Sequence, residues 1–224
     1  MARADLAGDV AALLEDREGF VRQAAVEALG RLRAREHAAG VARLLDSSLR
    51  PIALEALGRM GAAEHADAAA RALADERNRS AAALALARMG DSRGLPALRE
   101  LLKIDPARND WDQTRALLAL NRLRAPEAWK KLQETSRVHA AGYRRTQEAF
   151  QEVCAAGELR LKIDGSLARR VEQSAYDFRS AHAPLDLLWE MSFAGWSFVL
   201  EEEELRVLPR HEAVEFWKSW LEKR

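Results

Sequence analysis

Apolar positions recur along this chain first with a helical period and later with a strand-like one. Val21, Ala25, Ala28, Leu29 and Leu32 stand at i, i+4, i+7, i+8 and i+11, which puts them on one helix face. Nearly the same phrase then returns: "AVEALGRL" at 25–32, "ALEALGRM" at 53–60, "LALARM" at 84–89 and "LLALNRL" at 117–123. Aligned on Ala28-Leu29, Ala56-Leu57, Ala85-Leu86 and Ala119-Leu120, the phrases lie 28, 29 and 34 residues apart, a period that marks stacked supersecondary units. Shorter stripes fill the intervals, "VAALLED" at 10–16, "GVARLLDSS" at 40–48, "AAARALADE" at 68–76 and "LPALRELLKID" at 95–105. Each unit therefore predicts two antiparallel helices. Polar ends such as "LLED" and "LLDSS" supply the turn before the long helix, and Gly61 and Gly90 suit the reversal after it. Pro51 stands near the start of its helix, where a missing N–H matters little.

The phrases resemble the short HEAT-like repeats of the phycobilin-lyase type, whose consensus runs roughly "VR..A..ALG.(L/M/I)(G)...A...L...L.D". The resemblance covers about residues 5–135. "VRQAAVEALGRL" follows it closely, "LRPIALEALGRMG" well, and "NRSAAALALARMG" with Ala87 in place of the glycine. "DQTRALLALNRL" is degenerate, with Gln113 where the others carry arginine and five extra residues around "DPARND" before it. The resemblance implies an α-solenoid and leaves the chemistry open, because one fold hosts many functions.

After about residue 140 the alanine-rich period stops. "ELRLKID" at 158–164 alternates like a half-buried strand, and "WSFVLEEEELRVLP" at 196–209 reads as a hairpin with an acidic tip. "APLDLLWEMSFAG" and "HEAVEFWKSWLEK" predict flanking helices, and "YDFRS" a short strand. The expected architecture is mostly α: a HEAT-like solenoid over 1–140, a connecting helix over 141–157, and a small α+β domain over 158–224. Two short stretches of that domain carry fainter resemblances. "FRSAHAPLDLLWEMSFAGWSFVL" is similar to the short N-terminal module of secretins and TonB-dependent receptors, and "GWSFVLEEEELRVLP" to docking domains of modular synthetases. Both imply protein docking.

Composition narrows the function. Lys+Arg and Asp+Glu are both 35, so the overall basic excess of a typical nucleic-acid binder is missing. The single cysteine, Cys154, has no intramolecular disulfide partner, and no 18-residue apolar run marks a membrane span, so a cytoplasmic protein with no membrane partner is expected. "HEAVE" at 211–215 opens like a zinc-protease motif but carries Glu215 where the second histidine belongs. His37, His65, His139, His182 and His211 lack metal-ligand spacing. The chain has no glycine-rich phosphate loop and no nucleophile elbow. A non-catalytic protein with no cofactor and no metal is the expectation.

Candidate binding residues fall into three sets. Two arginine ladders, Arg22, Arg50, Arg79 and Arg31, Arg59, Arg88, Arg122, border opposite sides of the apolar stripe. They either pair with turn acids such as Asp16, Asp46, Asp75 and Glu76 or line an anion-attracting groove. Trp189, Trp196, Trp217 and Trp220 form a C-terminal aromatic set, suited to docking a partner or to filling a core. Trp111, Asp112 and Arg115 make the third set, because HEAT-like DNA glycosylases need an aromatic and an aspartate of these types. The leading expectation is a protein-interaction scaffold or adaptor with a protein partner. Nucleic-acid binding or base excision is the alternative, and a bilin lyase-like protein a further one.

Overall fold

The long apolar stripes form helices where the spacing places them, in a computed structural model that describes residues 2–103, 111–134, 142–178 and 184–223. The chain divides into two compact units, Met1–Leu101 and Leu102–Arg224. In the first, α1 (Ala2–Ala12), α3 (Ala38–Ala42) and α5 (Ala66–Arg71) alternate with the longer α2 (Gly19–Leu32), α4 (Arg50–Met60) and α6 (Arg79–Met89), and α7 (Leu95–Leu101) follows. Short 3₁₀ turns at Leu13–Glu15, Arg43–Asp46 and Ala72–Ala74 end the first helix of each pair. Leu29, Leu57 and Leu86 are completely buried at equivalent places.

The three phrase-bearing helices also stop in the same way. Arg33, Gly61 and Gly90 take left-handed conformations, with φ of 53°, 65° and 87°. Their N–H groups donate to the carbonyls of Gly30, Gly58 and Ala87, and the next residues, Ala34, Ala62 and Asp91, donate to those of Leu29, Leu57 and Leu86. This pair of bonds satisfies carbonyls that the helix end would leave bare. The glycine inside the phrase has a different task. A Cβ on Gly30 would lie 2.9 Å from Cα of Ala56, and one on Gly58 2.9 Å from Cα of Ala85. Without side chains there, α2 packs backbone-close on α4, and α4 on α6.

The second unit opens with the fourth phrase, in α8 (Trp111–Arg124), followed by α9 (Pro126–Glu134). Then come β1 (Gly142–Arg145), α10 (Thr146–Gly157), β2 (Arg160–Ile163), α11 (Ala168–Gln173), β3 (Ala175–Phe178), α12 (Pro184–Phe193), β4 (Ser197–Leu200), β5 (Glu204–Leu208) and α13 (Arg210–Glu222). β2 pairs in parallel with β5, and β4 pairs antiparallel with β5, so the sheet runs β2-β5-β4. A second, two-stranded sheet joins β1 to β3, with Gly142 opposite Phe178 and Arg145 opposite Ala175. The unit's core gathers Phe150, Leu188, Met191, Trp196, Leu200, Leu205 and Val207, where the Trp196 ring meets Phe150 edge-on at 5.9 Å.

Two expectations differ from this outcome. The compact units divide at Leu101/Leu102 and not near 140, because α8 packs on β4, α12 and α13. The segment 141–157 is not one connecting helix. Its first four described residues make β1, and a four-residue strand whose partner lies some thirty residues later leaves too short an alternation to read locally. From β2 onward the order is strand, helix, strand, helix, hairpin and helix.

Candidate functional site

The first arginine ladder faces the backbone. Arg22 donates through Nη1 to the carbonyl oxygens of Asp16, at 2.7 Å, and Arg17, at 2.9 Å. Arg50 donates through Nε to the carbonyl of Leu45, and its Nη1 reaches Oδ2 of Asp75 at 3.2 Å. Arg79 donates through Nε to the carbonyl of Leu73 at 3.1 Å. In each repeat the guanidinium of the long helix thus holds the end of the short helix or the turn after it, where carbonyls lack intrahelical partners. Such arginines fasten the helix pair.

The second ladder splits. Arg31 pairs with Glu27 at 3.5 Å, and Arg59 with Glu55 at 2.9 Å, each the acid one turn earlier on its own helix. Those four side chains border a groove between α2 and α4, floored by Gly30, Ile52 and Ala56. Gly30 and Ala56 approach closely in this floor, and the two helices repeat the order acid then base along their length. Arg88 departs from its row, being 5% exposed on a helix where Leu84 replaces the preceding acid. Arg122 donates through Nη1 to the carbonyl of Pro126 at 3.1 Å. Glu27, Glu55 and Ile52 are groove residues that the spacing of the arginines did not single out, although a glutamate four residues before each groove arginine was the available signal.

The fourth phrase carries different residues at the same places. Asn121 occupies the position of Gly30 and Gly58, is fully buried, and accepts through Oδ1 the backbone N–H of Leu200 while donating through Nδ2 to the carbonyl of Leu117. β4 is an edge of its sheet, so this N–H would otherwise be a buried donor with no ladder partner. Gln113, at the position of Arg22, Arg50 and Arg79, accepts from Nε of Arg210 at 3.2 Å, and Thr114 accepts from Nη2 of the same residue at 2.8 Å. The degenerate repeat is a receiving surface for the hairpin and α13.

The acidic hairpin tip joins the same surface. Arg124 donates to Oε1 of Glu201 at 3.0 Å, and Oε2 of Glu202 accepts the N–H of Ala128 at 2.9 Å in the first turn of α9. A carboxylate there satisfies an orphan helix donor and complements the positive end of the helix. Glu203 lies 3.7 Å from Arg160, and Glu204 3.9 Å from Arg206.

Trp196 and Trp217 are buried, 2% and 0% exposed, so both fill the core and offer no docking face. Trp220 is half-buried and meets the Trp217 ring edge-on at 5.4 Å. The side chains of Trp189 and Trp111 lie outside the described residues. Asp112 and Arg115 pair with each other at 3.6 Å. Burial pushes the Cys154 thiol up to about 12, which keeps it protonated and unreactive. Among the described residues no group of three or more His, Cys, Asp and Glu side chains is placed to hold a metal ion, and no helix is long and apolar enough to cross a membrane. His139 and His182 lie outside the described residues.

Residues 79–103, which take in α6 and α7, match the family described as PBS lyase HEAT-like repeat. No curated protein matches the chain. The matched segment includes one of three long helices, α2, α4 and α6, that share this phrase, close in the same capped turn and stack through the same close backbone approach, so the first unit is built of HEAT-like repeats.

Proposed function

We propose that this chain is a non-catalytic scaffold or adaptor that binds a protein partner along the groove between α2 and α4. The observation that carries the reading is the charge order of that groove: Glu27 and Glu55 at one level, Arg31 and Arg59 one turn further on. Such a surface has no net charge. It suits a polypeptide that presents side chains of both signs better than a uniformly anionic nucleic-acid backbone, which draws its affinity from unpaired cations. The first ladder supports the same choice, since Arg22, Arg50 and Arg79 are engaged with backbone carbonyls. Trp196 and Trp217 contribute nothing to it, because both are core residues.

The test is capture from the source cell, at low and high salt, with the wild-type chain and the Arg31→Glu/Arg59→Glu variant. The expected result is a protein retained by the wild type and lost by the variant. Nucleic acid recovered at low salt and shed steeply as salt rises contradicts the reading. The Asp112–Arg115 pair gives the base-excision alternative little support, since the aspartate already faces a cation. The family description favours one second reading, a bilin lyase-like activity, which covalent addition of a bilin to an acceptor protein in the presence of this chain would establish.

A further inference from the structure

A small cavity lies in the second unit where α8, α12, β4 and α13 meet. It is lined by Thr114, Ser192, Trp196, Ser197 and Arg210 together with apolar side chains, and its volume is about 10 Å³. That is about the room one water molecule needs, and far too little for an organic ligand or an oxyanion. Its walls are unusually polar for such a place. Ser192, Trp196 and Ser197 are 4%, 2% and 5% exposed. Among the described residues neither Oγ of Ser197 nor Nε1 of Trp196 has a hydrogen-bond partner. Leaving a buried polar group unsatisfied is costly, so two such groups on residues that line one cavity call for an occupant.

We propose that this cavity is a binding site for a single structural water. The chemistry of the wall supplies the three contacts such a water commonly makes. The indole N–H of Trp196 is a donor only and gives its proton to the water oxygen. The Ser197 hydroxyl donates or accepts as the others require. Ser192 donates its proton to the carbonyl of Leu188 at 2.8 Å and receives one from the water on its remaining lone pairs. Arg210 and Thr114 also line the site, held to each other at 2.8 Å. The water thus ties the start of β4 to the end of α12 beside the helix that carries the fourth phrase. This inference is independent of the partner proposed for the groove.

The test uses the full chain. A crystal structure at a resolution that shows ordered solvent is expected to place one full-occupancy water within hydrogen-bond distance of Ser197 Oγ, and NMR to show magnetisation transfer from a long-lived water to the Trp196 indole proton. Ser197→Ala removes one contact and is expected to lower the occupancy or lose the transfer. Should that variant fail to fold, Ser192→Ala makes the same test from the opposite wall. A dry cavity in the wild type, or Ser197 and Trp196 each bonded to a protein group, overturns the proposal.

Discussion

In the first unit the residue after the Ala-Leu pair, Gly30 or Gly58, touches the backbone of the next long helix; in the second, Asn121 at the same place holds a strand edge. The residue at the phrase's arginine position changes in parallel. Arg22, Arg50 and Arg79 clasp carbonyls at the end of the preceding short helix, whereas Gln113 receives Arg210 from the start of α13. One phrase therefore serves two kinds of neighbour. Where it repeats faithfully it stacks like on like, and where it departs from the pattern the departures are themselves contacts to the mixed α+β part.

The shared feature gives the largest expected effect. Leu57→Ala should destabilise by about 2–5 kcal/mol, because a fully buried leucine leaves a cavity in close-packed surroundings. Urea unfolding followed by far-UV circular dichroism measures it, and a midpoint shift near zero would break the register on which the comparison rests.

The exchanged residues come next. Gly58→Asn is expected to cost about 1–3 kcal/mol by forcing side-chain atoms against Ala85. Asn121→Gly brings the fourth phrase closer to the repeat consensus and should nevertheless destabilise by about 1–3 kcal/mol, since it strands the buried N–H of Leu200. All six tryptophans follow residue 102, so fluorescence follows the second unit while circular dichroism reports helix throughout. A stabilising Asn121→Gly would remove the distinction between the two units.

A smaller effect sharpens the cap comparison. Arg33 holds a left-handed conformation that Gly61 and Gly90 adopt without strain in the other repeats. Arg33→Gly is expected to stabilise by about 1 kcal/mol. Its thermal midpoint should rise, and a fall would show that the Arg33 side chain outweighs its backbone.

The smallest effect is electrostatic. Hydrogen bonds from Arg35 to Glu64, from Asn78 to Asp75 and from Arg93 to Asp91 hold these three carboxyls below their ordinary values. A lowered folded value means that the contribution is complete above the unfolded carboxylate range, about pH 4, and is lost as pH falls through the folded values. Urea midpoints should therefore decline below about pH 4, and Glu64→Gln should flatten the decline slightly. The groups are partly exposed, so added salt should weaken the effect.

The helices were legible wherever a stripe ran long enough to declare its period. The equivalent places of Leu29, Leu57 and Leu86 follow from spacing alone, because burial on one helix face leaves a repeating mark in the sequence. The hairpin was legible from the alternation of Trp196, Phe198 and Leu200. β1 was not, since its pairing with β3 is made through backbone groups common to every residue. The use of the tryptophans stayed open for another reason: aromatic side chains suit cores and interfaces alike, and only burial separates the two uses. The partners of the acidic tip were hidden as well, because Arg124 and Ala128 stand more than seventy residues from the carboxylates they meet. Asn121 was visible as a departure from glycine, yet its acceptor role depends on a strand edge that the phrase itself does not encode.

The most direct measurement is amide hydrogen exchange at Leu200 in the wild type, Asn121→Gly and Gly58→Asn. If Asn121 closes the edge of β4, the Leu200 amide is protected in the wild type, loses protection selectively in Asn121→Gly relative to the other β4 and β5 amides, and stays protected in Gly58→Asn. Equal protection of Leu200 in the wild type and Asn121→Gly would contradict the account, showing that the fourth phrase differs from the other three without that difference holding the strand.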